Sequence, residues 1–179
     1  DVAWATSDEA RAKNSRYNLS YYTPTINVAR DPRWGRNEET YGEDPYLTGE
    51  LGTEFVRGME GEDEKYKKII ATIKHFAANN YEQGRQSTTS FVTEKNMREY
   101  YLPAFEMCVR KAGVKSLMAA YNALSTDITE KDANNKGYKD SHGGLPCAAN
   151  RMLLTDILRT EWGFNGYVTS DCAGLSVIH

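Results

Sequence analysis

The chain has 179 residues, 40% of them hydrophobic and 26% charged, an ordinary balance for a globular domain with enough apolar material for a packed core. Its formal net charge of -3 gives no attraction to nucleic acid or to an anionic membrane surface, so no nucleic-acid or membrane partner is expected and a neutral one fits better. No stretch approaches the roughly 18 consecutive apolar residues that a membrane span requires, and the three cysteines and three histidines are too scattered for a disulfide framework or a zinc site, so neither metal nor cofactor is expected.

The elements begin with a short polar helical run opened by Ser7-Asp8-Glu9. Leu19 to Val28 alternates aromatic and β-branched residues and reads as a strand ending at Ala29-Arg30. From 45 to 60, Leu47, Leu51, Phe55, Val56 and Met59 recur at helical spacing, with Gly58 and Gly61 as candidate terminators. Ile69 to Ile73 is short and almost wholly apolar, the pattern of a parallel strand covered on both faces, and it stops at Lys74-His75.

Thr93 followed by Glu94 predicts the N-cap of a long helix through Met97, Tyr101, Phe105, Cys108 and Val109, closed by Gly113. Pro103 should kink or divide it, because proline supplies no backbone donor. Val114 to Ala120 predicts a buried strand ending at Tyr121-Asn122, and the polar, glycine-containing stretch 125 to 144 predicts a long exposed loop. Asn150 then caps a helix that turns Met152, Leu153, Ile157 and Leu158 inward and ends at Gly163. Gly166 to Thr169 forms the last strand, which delivers Ser170-Asp171-Cys172.

Four strands with helices in every gap imply parallel pairing, because each return to the same sheet edge needs a crossover. Every strand ends in polar residues: Arg30 to Arg36, Lys74-His75, Tyr121-Asn122 and Ser170-Asp171. Parallel packing puts these clusters on one rim, the ligand-binding end of both a closed barrel and an open doubly wound sheet, so geometry leaves both open. No glycine-rich phosphate loop follows any strand, which disfavours a nucleotide. Many donors around one carboxylate suit a hydroxyl-rich ligand, and a strand-end carboxylate held by cations would stay ionised for attack on a sugar.

The run Asn27 to Arg36 (NVARDPRWGR) and the following Glu39 to Tyr46 (ETYGEDPY) resemble the barrel domain of glycoside hydrolase family 3. Lys74-His75-Phe76, Met118 to Asn122 (MAAYN) and Trp162 to Asp171 (WGFNGYVTSD) follow in the family's order, so that the match runs from about residue 17 to the end. The resemblance implies an α/β fold, a partial (β/α)8 TIM-type barrel of which about half is present. Residues 1–179 would be a fragment of a single barrel domain, with the family's C-terminal α/β sandwich domain absent and the acid/base lying beyond this chain. Both ends read as cut, and four strands with open edges are not expected to fold stably alone.

Position by position, the resemblance implies that Asp171 is the nucleophile of a retaining mechanism and that Arg36, Lys74 and His75 bind sugar hydroxyls in the innermost subsite. Tyr121 matches a tyrosine near the nucleophile. Glu82 and Arg85 fall where some members place further sugar contacts, although Asn79 to Arg85 (NNYEQGR) departs from the family pattern. The expected partner is an oligosaccharide or glycoside, and the family implies a secreted or periplasmic protein. Cys172 replaces the tryptophan of many β-glucosidases and points to the branch rich in β-xylosidases; β-glucosidase activity and an inactive, merely sugar-binding fragment are the alternatives. The polar segment 125 to 144 would reshape the aglycone side. Arg30, Asp31 and Arg33 read as a buried ion-pair corner with Trp34, Cys172 as a pocket wall, and Tyr21, Tyr22, Tyr100, Tyr101 and Phe105 as core.

Overall fold

A computed structural model describes residues 1–14, 19–127 and 144–178. The chain opens with α1, Val2–Asn14, whose Ala3, Ser7 and Ala10 are buried on one side. Ser7 therefore does not open this helix; it lies in its middle, and its hydroxyl donates to the carbonyls of Trp4 and Gly58. The helix α2, Pro45–Glu60, begins where the Asp44 carboxylate accepts from the Leu47 amide at 2.8 Å, and stops at Gly61, whose φ of 73° suits glycine. Gly58 is interior rather than a terminator.

The buried face of α2 is not the leucine stripe that the spacing predicts. Thr48, Gly49, Gly52, Thr53, Val56 and Met59 face inward, whereas Leu47 and Leu51 are 49% and 43% exposed. Close packing explains the reversal: a Cβ on Gly52 would lie 2.9 Å from Ile26 Cγ2, so around Gly49 and Gly52 the helix approaches its neighbours through small residues and turns its leucines outward.

The expected first strand is largely replaced by a short one. Only β1, Ser20–Tyr21, pairs regularly with β2, Ile70–Phe76; the chain then passes the Thr23-Pro24 bond and rejoins β2 through the Thr25–Lys74 bridge. Proline has no N–H to give to a ladder, and the carbonyls of Thr23 and Pro24 accept from β2 instead.

After β3, Thr89–Phe91, Thr93 caps the helical run 94–112, its hydroxyl accepting from Asn96 N. The run divides at Leu102 and Pro103 and ends at Gly113 in the left-handed region, φ 63°. Next come β4, Ser116–Ala119, and β5, Ala123–Ser125, then β6, Leu145–Pro146. The π-helical segment Met152–Glu161 is opened by the Asn150 side chain, which accepts from Leu153 N, and β7, Tyr167–Ser170, follows. Within that segment Leu153, Ile157 and Leu158 are buried and Met152 only half so.

The main sheet has the order β1-β2-β4-β7, entirely parallel with crossovers between, so the α/β, half-barrel expectation holds. A second sheet, β3-β5-β6, was not foreseen: its strands span two or three residues, too few for periodicity to register. It also corrects the start of the predicted loop, since Ser125 ends β5 and is buried with Thr126; residues 128–143 of that loop lie outside the described ones.

Side chains alternate across the main sheet. Ala71, Ile73 and Leu117 enter one core with Met97, Phe105, Leu153, Ile157 and Leu158 from the helices. The opposite face carries hydroxyls: Thr72 donates to Ser116 at 2.9 Å, and Tyr167 on β7 donates to Ser20 on β1 at 3.0 Å. Three strand spacings of about 4.8 Å would put the edge strands of a flat sheet roughly 14 Å apart, beyond the reach of a tyrosine. The Tyr167–Ser20 bond therefore requires a strongly curled sheet with these hydroxyls on its concave side. Of the aromatics expected in the core, Phe105 and Tyr101 are buried, Tyr21 and Tyr100 half-buried, and Tyr22 is exposed because it follows β1 where pairing lapses.

Candidate active site

All four strand tips meet on the concave rim. Lys74 and His75 lie near the end of β2, which runs on to Phe76 rather than stopping at them, and the aspartate after β7 turns back over β4, its amide donating to Ala119 O at 3.2 Å. The Asp171 side chain is 12% exposed; Oδ1 accepts from Cys172 N at 2.7 Å, and Oδ2 lies 3.8 Å from His75 Nε2. Burial, with Arg36 and Lys74 adding their charge, pushes the His75 imidazole down to about 3, so the ring is neutral over the ordinary pH range. Burial likewise lowers the Lys74 ammonium, Arg36 adding to it, while Glu39 and Asp171 oppose the shift.

Arg36 is gripped in bidentate fashion by Glu39, Nε to Oε1 and Nη2 to Oε2 both at 2.8 Å. Thr25 from the first strand region donates to the same carboxylate at 3.1 Å. The Arg36 guanidinium holds the Glu39 carboxyl down to about 2, despite partial burial. This fork presents Arg36 toward the rim, and the Glu39 hydrogen bonds first, with the Glu39, Glu82 and Asp171 charges behind them, raise the guanidinium above its usual value.

Glu82 organises the second half. It accepts from Trp34 Nε1 at 3.2 Å and from Arg85 Nη1 at 2.9 Å, and lies 3.9 Å from Arg36 Nη1. Arg85 stacks over the Tyr121 ring at 4.7 Å, and the Tyr121 hydroxyl donates to the Cys172 carbonyl beside Asp171. Burial first, then the Asp171 charge, raises the Tyr121 phenol above its usual value, so it remains a donor.

The seven residues singled out from sequence thus form one connected cluster: Asp171 with His75, Lys74 and Arg36 on one side, Tyr121, Arg85 and Glu82 on the other. Glu82 and Arg85 pair with each other and reach the rest through Arg36 and Tyr121. Sequence reasoning assigned no role to Glu39, to Trp34 as a partner of Glu82, or to Asn27, which holds His75 by backbone and ring. All three stand in or beside the Asn27 to Arg36 run, so the motif itself carried the signal. The Asp31–Arg33 pair forms at 2.5 Å but not as a buried corner: the Arg33 side chain is 88% exposed, and Arg30 turns away to donate to Tyr101 Oη. Cys172 is exposed; its amide donates to Asp171 and its carbonyl accepts from Tyr121.

Comparison with known proteins adds the following. The family model for the glycosyl hydrolase family 3 N-terminal domain matches residues 1–179. A xylan 1,4-β-xylosidase of Xylanibacter ruminicola is 40% identical over 162 residues, which cover 89% of this chain and 17% of that protein. Beta-glucosidase B of Emericella nidulans is 36% identical over 173 residues, covering 97% of this chain and 17% of that protein. Among solved structures, a GH3 exo-β-xylosidase in complex with a xylobiose aziridine activity-based probe superposes with a TM-score of 0.84 at 32% identity, over 99% of this chain and 22% of that one. The chain spans about a fifth of the length of the curated relatives it matches.

Proposed function

This chain belongs to glycosyl hydrolase family 3, and from that premise we propose that it forms the nucleophile-bearing part of a retaining, exo-acting β-glycosidase that releases terminal non-reducing β-linked sugars. The observation that carries the reading is the Asp171 carboxylate at a strand tip, 3.8 Å from His75 and within the field of Arg36 and Lys74. In the first step Asp171 Oδ2 attacks the anomeric carbon and the glycosidic C–O bond breaks, giving a covalent glycosyl-enzyme; water then enters on the face the leaving group vacated and displaces the carboxylate, so two inversions give net retention. Arg36 and Lys74 donate to sugar hydroxyls, and Tyr121 lines the nucleophile's flank.

The leaving oxygen needs a proton from a second carboxyl group. Among the described residues Glu39 and Glu82, the other carboxylates at the cluster, are both committed to arginines, and the family resemblance supports an acid/base contributed by a part of the protein outside these residues. Residues 1–179 are accordingly proposed as part of one barrel domain, completed by further barrel strands and an α/β sandwich domain in a longer polypeptide. Terminal xylose is the favoured glycone, supported by Ser170-Asp171-Cys172 and by the 40% identity to a β-xylosidase; glucose is second, supported by the β-glucosidase relative. Assay of the full-length protein on nitrophenyl β-xyloside and β-glucoside, with product anomers followed by NMR, tests this reading. Net inversion, or sugar binding without turnover, would overturn it.

A further inference from the structure

We propose that Asn27 is a positioning residue that locks His75 in a single tautomer, with a bare Nε2 lone pair beside Asp171; the inference rests on and deepens the glycosidase reading above. Asn27 and His75 are 3% and 1% exposed, so water does not substitute for their contacts. The orientation of the Asn27 amide is settled by two backbone partners: Nδ2 donates to His75 O at 2.9 Å, and Oδ1 accepts from His75 N at 2.7 Å. Reversing the amide would set NH2 against N–H and oxygen against oxygen.

The same Oδ1 lies 3.1 Å from His75 Nδ1. An amide oxygen can only accept, so Nδ1 carries the ring proton. A neutral imidazole has one such proton, which leaves Nε2 as an acceptor. Nε2 therefore faces Asp171 Oδ2 across 3.8 Å as one acceptor facing another, with no hydrogen bond between them.

Two consequences follow for the reaction. A glycone hydroxyl entering beside Asp171 is read as a donor by Nε2. The carboxylate is also spared a competing partner: with a proton on Nε2, His75 would donate to Oδ2 and withdraw the electron pair needed for attack. The charged groups facing the ring divide, since Arg36, Lys74 and Arg85 disfavour imidazolium while Glu39 and Asp171 favour it. Asn27 adds a neutral acceptor on Nδ1, which decides the tautomer without adding charge.

The test uses Asn27→Asp and Asn27→Ala in the full-length protein. A carboxylate at position 27 stabilises imidazolium, so the acid limb of kcat/KM should move up by about one pH unit or more in Asn27→Asp, with activity recovering above the limb. In Asn27→Ala, KM should rise more than kcat falls. If both variants are folded by circular dichroism, keep the parental acid limb and lose rate uniformly, Asn27 is structural only and the proposal fails. Should both variants fail to fold, 15N-histidine NMR of the parent protein, assigned against His75→Gln, decides: pyrrole-like Nδ1 with pyridine-like Nε2 is required, and the reverse overturns it. That reading needs no turnover, so it stands apart from failure of the glycosidase assignment, which shows as inactivity of the parent protein on the glycoside panel.

Discussion

His75 and Asp171 confront each other at 3.8 Å although β4 runs between the strands that carry them. Side chains from strands two apart meet at a rim only when the sheet curls toward it, so this one distance ties the curvature of the sheet to the chemistry at its tips. It also fixes which carboxylate oxygen is available: Oδ1 is occupied by the Cys172 amide, and Oδ2 is the one turned to the site.

Replacing Asp171 by Asn keeps the shape and removes the charge. In the full-length protein kcat should fall by about a thousandfold or more, with far smaller change in KM. Steady-state kinetics on the preferred nitrophenyl glycoside read both, and near-normal turnover would remove Asp171 from the nucleophile's role.

Glu39→Gln cannot hold both arms of the Arg36 guanidinium in charge-assisted bonds. Arg36 should then sample other positions, and KM should rise about tenfold, equivalent to about 1.4 kcal/mol, with a lesser effect on kcat. An unchanged KM would mean that the fork does not present Arg36 to substrate.

Stability should fall on mild acidification. His75 is pushed down to about 3 from an ordinary 6.5, so between those values the unfolded chain binds a proton that the folded chain refuses. The His75 contribution is fully present above about 6.5 and is lost as pH drops toward 3. Glu39, held at about 2 against an ordinary 4.5, adds a second loss that begins only below about 4.5. Melting temperatures from pH 7 to 4 should decline, and His75→Gln should flatten the decline between pH 6.5 and 5; an identical slope in that variant would contradict this assignment.

Phe105 is fully buried and meets Phe76 edge to face at a centroid distance of 5.1 Å. Phe105→Ala should cost about 3–5 kcal/mol of stability, read from denaturant midpoints. Because Phe76 adjoins His75, turnover should fall as well; a loss under 1 kcal/mol would mean that the core closes over the void.

Sequence carried the parallel strand–helix order and the site cluster because both are written in long patterns: apolar runs such as Ile69 to Ile73, and the Asn27 to Arg36 motif. It failed where tertiary contact overrides local pattern. Leu47 and Leu51 have the spacing of a buried stripe, yet the tight approach at Gly52 turns them to the surface. Pro24 cuts short a strand that alternation alone would extend to Val28. Asn27 and Glu39 make their contacts with a partner distant in the chain or with a paired cation, and nothing in residue type alone separates such contacts from those of an ordinary polar loop.

The hydroxyl pair Tyr167–Ser20 joins the first residues of the outer strands, at the ends remote from Asp171. Bend and reactivity are thereby installed at opposite poles of the same strands. A change at exposed Tyr81 or Gln83, beyond the far ends of those strands, therefore leaves the pin in place, and the arc keeps its bow whatever side chains those two positions carry.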